Sequence, residues 1–502
     1  MITKPYINHL IYLTKPFLQL LRYTKHPHPL IILKFKNKVA ILHTKVCSTS
    51  FTMPHTPSFW RSLFRLVHIY AGIFIAPFIF IAAFTGLLYA ITPQIEQSIY
   101  KNALYVQPLN KDMHPLSQQV EAAKKVMHES AQITEVRPAP SSTQTTRVIF
   151  SDKAHHLNNE AVFVDPYTLS IKGQLAVYGT SGVLPFRTFL DQLHSNLLLG
   201  KWGRFYSELA ASWLGILTLT GLYSWWKRRQ NFKIRQTSKN RLLKWHSSIG
   251  LTLLPLLLFI SITGLTWSQW AGDNIRIARQ WLNWQTPTLA TTLNNAPLPQ
   301  MSHDEHKEHH GMVMETSDLE IIPTEFDSAL AIARANGIHS AQIQIKPPVD
   351  VNQAWTVTEL QRKWPTQADS VAIDVHQHKV IDKLAFKDYS LFAKLTRWGV
   401  DAHIGVLFGW INQLILALYA LGLCIMIIYA YKAWFKTSNL KLTTSHFVSQ
   451  TLLIWKRATN QQKIITALTL IILGISLPIF GFSLLITLFI LLIRKQNSLQ
   501  TK

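Results

Sequence analysis

The stretch "LVHIYAGIFIAPFIFIAAFTGLLYAITP", Leu66–Pro93, decides the fold class. It is apolar almost throughout, and about 20 such residues cross a hydrocarbon core of roughly 30 Å. Yet it carries a titratable ring, His68, near its start. A second stretch, "KWHSSIGLTLLPLLLFISITGL", Lys244–Leu265, has the same layout. His68, Gly72, Pro77 and Thr85–Leu87 correspond to His246, Gly250, Pro255 and Thr263–Leu265, and the interval from histidine to the Thr-Gly glycine is 18 residues in both. Matched positions of this kind signal an internal duplication.

Working outward, the chain of 502 residues reads as an α-helical integral membrane protein with four main spans in two tandem halves. The expected spans are 58–93, 188–227, 246–269 and 396–432, with a hydrophobic hairpin at 463–502. Segments 94–187 and 270–395 lie between spans and read as α+β modules; 228–245 is a basic loop, 433–462 an amphipathic linker and 1–57 a basic N-terminal segment. "VFVDPYTLSIKGQL", Val162–Leu175, and "VAIDVHQHKVIDKL", Val371–Leu384, read as one hairpin met twice.

The net charge of +24 is concentrated at span ends. Arg61 and Arg65 precede the first span, and Lys227, Arg228, Arg229, Lys233, Arg235, Lys239, Arg241 and Lys244 separate the second from the third. The positive-inside rule makes these segments cytoplasmic, puts the α+β segments outside, and excludes nucleic acid as the reason for the charge. The first acid of the chain is Glu96. The basic N-terminal segment suits an amphipathic surface element, or a chain whose translation starts at Met53. Cys47 and Cys424 are the two cysteines, so the outside segments hold together without disulfides, and no C-x-x-C-H motif attaches a haem covalently. The run "HDEHKEHH", His303–His310, could hold a divalent ion or be a solvated loop.

Histidines also stand before the other two spans. "LHSNLLLGKWGRF" places His194 six residues before Gly200, and "AHIGVLFGWINQL" places His403 six before Gly409. Counting spans puts His68 and His246 at the inner face and His194 and His403 at the outer face. Facing imidazoles at two depths suit two non-covalent b-type haems, whose iron takes neutral rings as axial ligands. Gly72 and Gly250, one turn from their histidines, would leave room for a flat macrocycle. The alternative role for each ring is an interfacial anchor. His194 lies 27 residues before Gly221 whereas His403 lies 19 before Gly422, so a bend near Gly200 and Gly203 must absorb the excess.

Repeated H-x3-G…T-G-L spans, "VFVDPYTLSIKG" and the ending "TGLYSWWKRR", Thr220–Arg229, together resemble the PepSY-associated transmembrane family. That family includes iron-regulated inner-membrane proteins and ferric-siderophore reductases of the ferrioxamine type. The resemblance covers about 58–440 and implies PepSY-like modules in the periplasm. It also implies haem ligation by His68, His194, His246 and His403, and reduction of a ferric siderophore or other ferric chelate for iron uptake. The fourth span departs from the pattern with "ALGLC", Ala420–Cys424, in place of T-G-L. No dinucleotide or flavin motif is present, so the expected electron donor is quinol or a cytoplasmic reductase. The rival expectation is a non-enzymatic, membrane-anchored binding or regulatory protein.

Overall fold

A computed structural model describes residues 31–35, 38–42, 58–152, 157–179, 182–229, 238–293, 319–436 and 444–500. Residues 1–57 form a unit apart from the rest. Within it, β1 (Ile31–Phe35) and β2 (Lys38–Leu42) are an antiparallel pair in which Ile31 is opposite Leu42. The remainder of that segment, the His303–His310 run and much of the basic loop lie outside the described residues.

The first apolar stretch forms α1 (Phe59–Ala90), a helix of 32 residues whose Ser58 side chain caps its first turn. At 1.5 Å per residue it is about 48 Å long, more than a bilayer core. Pro77 lies inside it. Proline has no N–H, so the carbonyl four residues back, that of Ile73, loses its helical partner. The Tyr431 hydroxyl donates to that carbonyl at 2.6 Å. Tyr431 belongs to α12 (Trp410–Phe435), which packs along α1. An orphaned carbonyl in lipid is costly, so Tyr431→Phe should destabilise the fold by about 1–3 kcal/mol. Pro77→Ala restores the lost donor, and the cost of Tyr431→Phe should shrink in its presence. Thermal unfolding of the four proteins in detergent measures that coupling.

In the second copy the same proline acts differently. α7 (Ser238–Thr252) and α8 (Leu254–Thr266) are separate helices, with Pro255 in the first turn of α8, where its missing N–H costs nothing. The chain bends by 63° there. Gly422 of α12 accommodates the bend, since a Cβ on it would stand 3.1 Å from Leu253 Cδ1. The fourth-span departure, "ALGLC", thus sits against the break.

α1 and α12 are long and apolar enough to cross a membrane, and α7 with α8 supplies a third crossing if the bent pair is one span. The expected span at 188–227 is a composite. α5 (Pro185–Asn196) ends in left-handed Leu197 and Leu198, and α6 (Gly200–Arg229) follows. α6 has 30 residues, but its central stretch is diluted by Ser, Thr, Gly, Tyr and Trp, and it is not among the helices apolar enough to qualify. Its buried face still lies along α1: Trp213, Leu214 and Leu217 pack with Ile75, Ile79 and Ala83. The Glu208 carboxylate accepts the N–H groups of Trp270 and Ala271 at 3.0 and 2.9 Å, capping α9 (Trp270–Trp281). Near the C-terminus α13 (Thr444–Lys456) precedes α14 (Asn460–Ser476) and α15 (Pro478–Gln500), which break at Pro478 and close on each other at Gly474 and Gly481. The α15 limb reaches the core through Phe480 and through Trp213 Nε1, which donates to Ser483 Oγ at 3.1 Å.

Outside the helical layer, α2 (Thr92–Ile99) and α3 (Lys101–Leu104) lead to α4 (Leu116–Lys124) and the meander β3 (Gln132–Arg137), β4 (Thr146–Asp152), β5 (Leu157–Val164) and β6 (Ile171–Ala176). The second segment repeats this with α10 (Thr324–Ala335), β7 (Ile343–Lys346), β8 (Trp355–Glu359), β9 (Ser370–Asp374) and β10 (Lys379–Leu384). The hairpin match is detailed: Asp165 accepts from the backbone of Tyr167 and Thr168, Asp374 from that of His376 and Gln377, and Leu169 and His378 both take positive φ. The two segments share one antiparallel sheet of eight strands, joined where β3 pairs with β7 at Val136 and Ile345. α4 and α10 pack together over it. Pro115 cannot cap α4, and Asp327 of α10 does so from the other half, accepting from Leu116 N at 2.7 Å and Ser117 N at 3.1 Å. α11 (Leu391–His403) then leads into α12.

Candidate functional site

His68 sits in the third turn of α1 and His246 on α7. The His68 Nδ1 is 3.0 Å from the Leu217 carbonyl of α6, and the His246 Nδ1 is 3.0 Å from the Met426 carbonyl of α12. A carbonyl only accepts, so each Nδ1 bears the proton and each Nε2 carries the lone pair. The ring centroids are 6.2 Å apart with the planes at 62°. Two rings that hold one metal ion from opposite sides, at about 2 Å per bond, would have centroids roughly 6 Å apart once a ring radius of about 1 Å is added on each side. Donor type, tautomer and spacing therefore all fit a bis-imidazole metal centre such as haem iron.

The other two histidines use a different anchor of the same kind. Thr85 gives its single hydroxyl proton to the Ile81 carbonyl at 2.8 Å, so it can only accept from His194 Nδ1, at 3.0 Å. Thr263 likewise donates to Phe259 O at 2.8 Å and accepts from His403 Nδ1 at 2.7 Å. His194 is in the last turn of α5 and His403 at the end of α11. Tyr206 fixes the first by donating to the His194 carbonyl at 2.7 Å. The second is fixed by Asp401, buried and bonded to Arg362 at 2.6 Å, and by Asn412, which donates to the Ala402 carbonyl at 2.9 Å. Each of the four rings is anchored through Nδ1 within its own half of the chain, and the His68–His246 pair bridges the halves. Along α1, His68 and Thr85 are 17 residues apart, or about 25 Å.

The Thr-Gly-Leu triplets thus face histidines. A Cβ on Gly86 would meet His194 Cε1 at 3.2 Å, one on Gly221 would meet His68 Cε1 at 2.7 Å, and one on Gly264 would lie 3.9 Å from His403 Cε1. Sequence reading used these triplets as repeat markers and missed their contact with the rings. Their recurrence at Thr85, Thr220 and Thr263 was the available signal. Gly72 and Gly250 do not contact the rings: their nearest neighbours would be Leu217 Cδ2 at 4.0 Å and Met426 Sδ at 3.1 Å. Among the described residues no group of three or more His, Cys, Asp or Glu side chains could hold a metal ion by itself. A two-histidine centre needs no such group.

Gly221→Ala should displace the His68 ring, whereas Gly72→Ala should leave it in place. If this pair holds a haem, as proposed below, the measurement is haem absorbance per chain. A normal Gly221→Ala spectrum, or equal loss in both variants, would show that the ring position does not matter.

A family model described as PepSY-associated TM region matches residues 65–437. The chain belongs to this family. No curated protein matched it. The PepSY-associated region contains all four histidines and the three Thr-Gly steps that face three of them, while α13, α14 and α15 lie beyond it. The Trp213–Ser483 bond therefore ties the family region to an additional hairpin.

Proposed function

We propose that this PepSY-associated membrane protein is a di-haem b-type oxidoreductase of the cytoplasmic membrane, carrying electrons outward to ferric-siderophore iron on the periplasmic side. The observation that carries this reading is the His68–His246 pair, with its 6.2 Å ring separation and both Nδ1 protons committed to carbonyls. Haem, when bound, supplies reversible one-electron transfer. The chain's own part is to hold four neutral imidazoles in fixed tautomers at two levels, with His194 and His403 as the outer ligands. The long apolar helices keep water and ions away between those levels. Lysines and arginines between the second and third spans favour a cytoplasmic loop there and periplasmic PepSY-like segments. The donor is quinol or a separate cytoplasmic reductase. Fe(II) holds hard oxygen ligands less tightly than Fe(III), so a chelate reduced outside releases its metal for uptake.

Purified protein should be red, with sharp bands in the reduced-minus-oxidised spectrum and close to two haems per chain. Folded protein that takes up no haem would overturn the proposal and favour a non-enzymatic anchor. Fusions at Asp152 and Lys346 should be active with an exported reporter only.

A further inference from the structure

Between the sheet and the outer ends of the helices lies a cavity of about 500 Å³. Its floor includes Tyr89 at the end of α1, Ile404 beside His403, and Trp267, whose ring is 5.5 Å from the His403 ring. Its walls carry six cationic side chains drawn from both halves: Arg137, Arg147, Arg187, Lys346, Arg362 and Arg397. Three acids, Glu96, Asp191 and Glu359, also line it.

These charges are unevenly satisfied. Arg137 and Lys346 share the buried Glu135 carboxylate, and Arg362 and Arg397 share that of Asp401. Glu359 is occupied by the backbone N–H groups of His339, Ser340 and Asp369. Arg187 differs. Its guanidinium lies over the Tyr89 ring, and its buried Nε and Nη2 have no acceptor among the described residues. Arg147 lies over the Phe163 ring. Burial, aided by Arg137 nearby, pushes Arg147 down to about 10, which leaves it cationic at neutral pH. Burial likewise raises Glu96, against the opposing pull of Arg187 and Arg147, so this carboxyl beside the pair is a reluctant counterion. A buried guanidinium edge without an acceptor is costly, and the oxygen pair of an anionic ligand satisfies it in two parallel bonds.

We propose that this cavity binds an anionic ferric chelate, one whose carboxylate or catecholate oxygens meet Arg187 and Arg147 above the outer histidine His403. The proposal rests on the reductase reading for the word ferric, but the binding it requires can be measured without electron transfer. The probe is gallium(III) citrate, a redox-inert anionic chelate, titrated calorimetrically into the full chain in detergent. Gallium(III) desferrioxamine B, a cationic chelate, citrate alone and inorganic phosphate are the comparisons. The gallium citrate complex should bind at least about tenfold more tightly than the cationic chelate, and less tightly as salt is raised. Arg187→Gln should weaken it by about tenfold or more, and Arg187→Lys by less. If Arg187→Gln fails to fold, as judged by thermal unfolding, Arg147→Gln takes its place with the same expected loss. Equal binding of the two chelates, or unchanged affinity in a folded variant, overturns the proposal. Equally tight binding of citrate or phosphate alone overturns its ferric part. The haem spectrum of each preparation separates the two readings. Haem without gallium citrate binding sinks the cavity proposal alone, and binding without haem sinks the reductase alone.

Discussion

His68→Ala should lower the haem bound per chain by about half, and His246→Ala should give the same spectrum. The two rings are 6.2 Å apart and come from different halves, so each variant removes one side of the same centre. The double variant should be no worse than either single one, because residues acting on one centre are strongly non-additive. His194→Ala and His403→Ala should form a second group, leaving the inner centre occupied. Their Thr85 and Thr263 anchors lie at the other end of the helices, about 25 Å away along α1. Transmembrane electron flow should fail in all four. Grouping of His68 with His194, and of His246 with His403, would mean instead that each haem belongs to one half of the repeat. Full haem in all four would reduce the histidines to interfacial anchors.

Gly203→Ala should be the most damaging single substitution in the turn that carries His194. A Cβ there would overlap the carbonyl of Asn196, which is backbone and cannot rotate away. Relief requires moving the end of α5, and with it the ring bonded to Thr85. A loss on the order of 4 kcal/mol, or failure to accumulate, is expected. Gly200→Ala is the control: Gly200 has φ +57 but nothing within 4 Å of a Cβ, so it should cost only about 1–2 kcal/mol. Thermal unfolding and haem content of the two variants measure the contrast. Equal tolerance would mean that α5 and α6 are not held as closely as the turn implies.

The sequence by itself determined a good deal. Twenty-residue apolar runs must become helices in lipid, because no other local structure satisfies every backbone group. Matched spacing exposed the duplication, and it carried down to the Asp165 and Asp374 turns with Leu169 and His378 at positive φ. The four histidines stood out because a polar ring is costly where each one lies. A bend between His194 and the second long helix followed from eight surplus residues, and the chain makes it at Leu197–Gly200.

Tertiary structure decided the rest, because the deciding partners are far apart in the chain. Pro77 and Pro255 are equivalent in sequence, yet one sits in a continuous helix and the other beside a 63° break. In the first copy the Tyr431 hydroxyl, 358 residues from Ile73, supplies the missing bond. The Thr-Gly-Leu triplets could be read as packing motifs until the rings lay against them. The two segments between the spans read as two modules, since hairpins are local; that β3 joins β7 is a choice of sheet edges with no local signature. The arginines of the cavity are scattered from Arg137 to Arg397 and form no motif. Their convergence follows from that shared sheet, which brings both halves over the end of the helices where His403 stands.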